Sequence, residues 1–143
     1  MFDHHIEVIE SSVSEARRRV GIKALSVPLL KRLFETFPET ADMFDIESLE
    51  GFAPEKFQYV LDLIVDTLKR PEYARESVEN EIVRHQMYAL KDEEYYFVLV
   101  ESVPECVKSV LADDWTDEME ECWSDAVYGL KGFIHESVAE LGL

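Results

Sequence analysis

The chain has 143 residues, 47% of them hydrophobic and 11% aromatic, which is enough for a buried core and excludes a disordered composition. It carries 31 acids against 14 bases, a net charge of −17, and such a surface repels phosphate, so nucleic acid and anionic membrane are excluded as partners. Only five glycines and five prolines punctuate it, which favours long helices over a sheet with many turns.

Periodicity predicts an all-α single domain over residues 1–143, with six or seven helices and no strand. A first helix from about Asp3 places Ile6, Ile9, Val13, Ala16 and Val20 on one face and closes with Arg17, Arg18 and Arg19. Those bases complement the carbonyl end of the dipole, and Gly21 just beyond can take a left-handed cap. A second helix begins near Ser26, with Pro28 in its first turn and Leu30, Leu33, Phe34 and Phe37 inward. Pro38 stops it and opens a short helix through Ala41 to Phe44, followed by a loop over 45–53. Pro54 starts a helix with an unbroken apolar stripe of Phe57, Val60, Leu61, Ile64, Val65 and Leu68, and Pro71 ends it.

A weaker amphipathic helix from about Ala74 to Ala89 carries Val78, Ile82, His85 and Ala89 on one face. From about Asp92 a further helix presents Tyr95, Leu99, Val103, Cys106, Val107 and Val110, and Pro104 should kink it. Thr116 caps the last helix, ahead of Asp117 and Glu118. Its inward side runs through Met119, Cys122, Trp123, Ala126, Val127, Leu130, Phe133 and Ile134.

Cys106 and Cys122 both fall inside predicted helices, where a thiol packs as a small hydrophobe. No stretch approaches ~18 uninterrupted apolar residues, and the first residues lack the pattern of a signal peptide, so the expected location is cytoplasmic. The glutamates and aspartates, among them Glu76, Glu79, Glu81, Asp113, Asp114, Glu120 and Glu121, fall on outward faces, which predicts no facing pair for side-chain acid–base catalysis. Gly-rich phosphate loops, zinc spacings and nucleophile elbows are absent from the sequence.

Four histidines remain. His4 and His5 sit at the chain start and His135 on the polar side of the last helix, all three expected in solvent. His85 continues the Val78–Ile82 face, so its imidazole should point inward. An inward histidine is most often a hydrogen-bonded structural residue, but it can also serve as an axial haem ligand opposite a flat apolar slot.

The run from Leu33 to Asp45, LFETFPETADMFD, resembles a motif of the globins, in particular the single-domain bacterial haemoglobins and the globin domain of flavohaemoglobins. There a proline opens a short helix ending in phenylalanine. Val83-Arg84-His85 with Tyr88 and Tyr95 is similar to that family's proximal segment, and Trp115 to Glu118 with Cys122-Trp123 to the opening of its final helix. The resemblance implies a globin fold of six to eight helices around a haem pocket, with haem b as cofactor and His85 as the protein ligand to iron. It also implies that Phe44, Phe57, Leu61, Ile82, Arg84, Tyr88, Leu90 and Tyr95 contact the haem, with Arg84 able to reach a propionate. Tyr95 would pair with a glutamate of the last helix, for which Glu136 is the candidate, to hold the proximal histidine.

By the same resemblance Pro54 anchors the distal helix, which gives Leu30, Ala53 and Phe57 as the distal pocket. A different register would turn Lys56, Gln58 or Tyr59 toward the iron. The family usually has tyrosine and glutamine where Leu30 and Ala53 stand, and those donate hydrogen bonds to bound O₂, worth roughly 1.5–3 kcal/mol when charge-assisted. The expected function is therefore reversible binding of a diatomic gas (O₂, NO or CO), with O₂ less firmly held than CO or NO. Two alternatives stand beside it. One is NO dioxygenation or a peroxidase-like activity, which would need a separate reductase. The other is a haem-free globin-like sensory or interaction module that docks a partner through the acidic surface from Glu72 onward.

Overall fold

The computed structural model describes residues 2–43, 49–85 and 93–141. They form five α-helices, α1 (Asp3–Thr36), α2 (Leu49–Lys69), α3 (Pro71–His85), α4 (Glu93–Leu111) and α5 (Asp117–Glu140), with short 3₁₀ turns at Pro38–Met43 and Ala112–Asp114. Among the described residues there is no strand, and the fold class is all-α.

α1 is two helices joined at a kink. Gly21 interrupts it at φ 82° and ψ 159°, a region that is essentially closed to residues with a Cβ. The junction falls at the expected residue, but the second half starts directly after it and not near Ser26. Ser26 is already helical, and its hydroxyl donates back to the carbonyl of Ile22 at 2.6 Å. Pro28 consequently sits inside the helix. Its missing N–H would have served the carbonyl of Ala24, and both residues are exposed, so water can take that bond.

α2 begins at Leu49, five residues before Pro54, so helix replaces the last part of the expected loop. α3 likewise begins at Pro71 itself, which suits the first helical position and shortens the connection from α2 to the single residue Arg70. α4 runs through Pro104 as one helix. At α5 the cap is as expected: the Thr116 hydroxyl accepts from the Met119 N–H at 3.1 Å, with Asp117, Glu118 and Glu120 in the first turn.

The core is one cluster reaching all five helices. α1 packs most extensively on α4 and α2, α3 on α2 and α5, and α5 also on α1, α4 and α2. One buried polar link crosses it: the Trp123 indole N–H donates to the Ser12 hydroxyl at 2.9 Å, and that hydroxyl donates to the Ile9 carbonyl at 2.7 Å. The link lets a tryptophan be buried without an orphaned donor. At the chain start His4, exposed as expected, and the half-buried His5 contact Glu118 and Asp125 at 3.2 and 3.0 Å, which ties α1 to α5. Among the described residues no helix is long and apolar enough to cross a membrane.

Candidate functional site

The site is built on the last turn of α3. Val78 and Ile82 are buried on its inner face, and His85 lies three residues beyond Ile82 with its side chain 23% exposed. The ring is therefore neither solvated nor sealed. Its Nδ1 lies 2.7 Å from the backbone carbonyl of Glu81. A carbonyl only accepts, so Nδ1 is the donor in this contact. From α4 the Tyr96 ring meets the imidazole edge-on, with centroids 5.8 Å apart and planes at 86°.

Glu81 is not on an outward face. Its side chain is only 15% exposed, and its Oε1 lies 3.2 Å from His85 Nδ1. The Tyr59 hydroxyl on α2 donates to its Oε2 at 2.8 Å, and the Arg84 guanidinium donates to the same oxygen. Burial and then the bond to Glu81 push the Tyr59 phenol well above its ordinary range. Lys56, half-buried one turn earlier, has its ammonium pushed down by the same burial, while the Glu81 charge opposes that shift. Its Nζ lies 5.5 Å from the centre of the Tyr59 ring.

The other expected site residues are placed as follows. Leu30 on α1, Ala53, Phe57 and Leu61 on α2, and Ile82 on α3 are all buried. Gln58 is exposed and donates to Asp62 at 2.8 Å, and Tyr59 is committed to Glu81. The inward side of α2 is thus Ala53, Phe57, Val60, Leu61 and Ile64. Arg84 is 68% exposed and reaches Glu81. Phe44, Tyr88 and Leu90 lie outside the described residues.

The expected Tyr95–Glu136 pair is not formed. The Tyr95 hydroxyl donates to Glu39 at 2.6 Å, and its ring packs on Phe37 with centroids 4.3 Å apart. Glu136 instead accepts from Arg75. His135, exposed as expected, pairs with Glu93 at 2.7 Å. The inward face of α4 also differs: Tyr96 is buried, while Tyr95 and Leu99 are only partly so.

A polar groove of about 620 Å³ between α1, α2 and α3 is lined by Arg17, Tyr59, Leu61, Asp62, Asp66 and Tyr73 among others. A smaller one of about 170 Å³ lies by Arg32, Glu101, Lys108 and Trp115. Among the described residues no three His, Cys, Asp or Glu converge to hold a bare metal ion. The donor chemistry at His85 is that of a single imidazole, which can serve as one ligand to a metal. Such a ligand needs its far nitrogen engaged, so that the ring is oriented and the near nitrogen is left basic. Nδ1 on the Glu81 carbonyl meets that requirement. No protein-family model matches the chain, and no curated protein matches it in sequence.

Proposed function

We propose that this chain is a haem-binding globin that reversibly binds a diatomic gas, with His85 as the proximal ligand to the iron of haem b. The observation that carries the proposal is the 2.7 Å bond from His85 Nδ1 to the Glu81 carbonyl, which orients the ring so that Nε2 would be the nitrogen offered to the iron. Support also comes from the helix pairings, with α1 against α2 and α4 and α3 against α2 and α5, around a buried apolar set that includes Leu30, Phe57 and Ile82.

When bound, the haem supplies the gas-binding iron, and the protein supplies its ligand, its surroundings and steric selection. His85 fixes the proximal side. Leu30, Ala53 and Phe57 are buried and carry no side-chain hydrogen-bond donor, so the distal side offers exclusion of water but no stabilisation of a polar ligand. CO and NO should therefore be held relatively better than O₂. Turnover chemistry such as NO dioxygenation would draw electrons from a separate reductase.

The test is an absorption spectrum of the purified chain after haem addition. A Soret band should form, be lost or strongly shifted in His85→Ala, and return when imidazole is added to that variant. A chain that stays colourless overturns the haem assignment and favours a haem-free interaction module. A slowly dissociating, oxidation-resistant O₂ complex would overturn the apolar distal pocket while leaving His85 in place.

A further inference from the structure

We propose that the groove between α1, α2 and α3 binds a short peptide by its free amine and its free carboxylate. The site involves neither His85 nor haem. Its volume of about 620 Å³ falls within the ~300–1,000 Å³ of small-ligand sites, and its floor carries the buried side chains of Val13, Leu61 and Val65. The rim holds charges of both signs in two different states. On α2 the carboxylates are already engaged. Asp62 accepts from the Gln58 amide at 2.8 Å, and the buried Asp66 takes Nε and Nη2 of Arg70 at 3.1–3.3 Å. The Arg70 guanidinium also lies over the exposed Tyr73 ring, 4.4 Å from its centre, so it is held on two sides.

Glu10, Arg17 and Lys69 are in the other state. All three line the groove and are exposed, and among the described residues none has an ion pair or a side-chain hydrogen bond. Glu10 and Arg17 stand seven residues apart on one face of α1, two turns and about 10 Å along the axis, too far to pair with each other. A ligand for these poles needs both signs of charge. A multiply charged anion fits poorly, because a chain of net charge −17 repels it. A single amino acid is neutral overall, but its two charges are only about 3 Å apart and cannot reach both poles. Three residues of extended peptide span up to about 10 Å, so the amine and carboxylate of a tripeptide can meet Glu10 and Arg17 at once. Lys69 and Nη1 of Arg70, which Asp66 leaves unused, add donors for its carbonyls. The Tyr73 ring and the apolar floor can take a side chain.

The experiment titrates trialanine into the isotope-labelled full chain and follows its amide signals by NMR. Saturable shifts below about 10 mM are expected around Glu10 to Arg17 on α1 and Asp62 to Tyr73 across α2 and α3. N-acetyl-trialanine and trialanine amide should each bind about fivefold more weakly, the amount that one exposed ion pair contributes. Glu10→Gln should weaken trialanine by about the same factor and leave N-acetyl-trialanine unchanged. Arg17→Gln should do likewise for trialanine and the amide. Both residues are exposed and without partners among the described residues, so neither variant should disturb the fold. Absence of saturable shifts at the groove overturns the site. Equal binding of free and blocked peptides overturns recognition through the termini. Equal shifts of the same residues with acetate alone make the groove a simple anion site and overturn the peptide.

Discussion

Gly129 lies in the middle of α5, and a Cβ added there would meet Cγ2 of Thr67 on α2 at 2.9 Å, well inside the ~3.5–4.0 Å at which carbon atoms pack. Thr67 is buried, and its hydroxyl donates to the Leu63 carbonyl at 2.9 Å, so its methyl is not free to swing away. Gly129→Ala should gain about 0.8–1 kcal/mol of helix propensity and lose about 1–3 kcal/mol to overpacking. The net is a loss of up to about 2 kcal/mol. Thr67→Ser removes the obstructing methyl, keeps the hydroxyl and costs about 0.8 kcal/mol by itself. In that background Gly129→Ala should become stabilising by about 1 kcal/mol, giving a coupling energy of about 1–3 kcal/mol across the cycle. Urea unfolding followed by far-UV circular dichroism, with all four proteins in the same haem state, measures it. If Gly129→Ala stabilises equally in both backgrounds, the close approach of α2 and α5 at this point is refuted.

Further outcomes are expected at two glycines and at the buried thiols. Gly21→Ala meets open space, so its cost is the strain of φ 82° alone, about 1–3 kcal/mol. Gly132→Ala on α5, also in open space but at an ordinary helical φ, should instead gain up to about 1 kcal/mol; thermal melts of the two should move in opposite directions. Burial pushes the Cys106 thiol up to about 12, whereas the unfolded thiol ionises from about 8.5. Between those limits the unfolded state binds fewer protons than the native one, so stability should fall as pH rises through that window. Cys106→Ala should flatten that alkaline slope in urea titrations, and the native wild-type thiols should resist an aromatic disulfide reagent at neutral pH until the chain unfolds.

How much of this was readable from the sequence depended on whether an element buries one face or several. α5 has Thr116 as a cap and a stripe of Cys122, Trp123, Ala126, Leu130 and Ile134, so its start and most of its inward side follow from the pattern, although Ser137 and Val138 extend the buried face beyond it. α4 buries Tyr96, Val98 and Val100 at steps of two as well as Val103 and Val107 at helical spacing, which leaves no single stripe to find. Pro28, Pro54 and Pro104 read as starts or kinks but lie within helices, because packing on neighbouring helices outweighs the loss of one backbone bond.

At the site, His85 could be singled out from its place after Val78 and Ile82, whereas Glu81 looked like one more solvated acid. The carboxylate is affordable there only because partners from two helices satisfy it. Tyr59 is 22 residues away, a contact that no periodicity within α3 can reveal. One signal was nevertheless local: a carboxylate one turn before an inward imidazole lies on the imidazole's side of the helix. Since desolvating a lone carboxylate there would cost several kcal/mol, such a spacing predicts a donor on the facing helix, and the stripe of α2 carries Tyr59 at its edge to provide one.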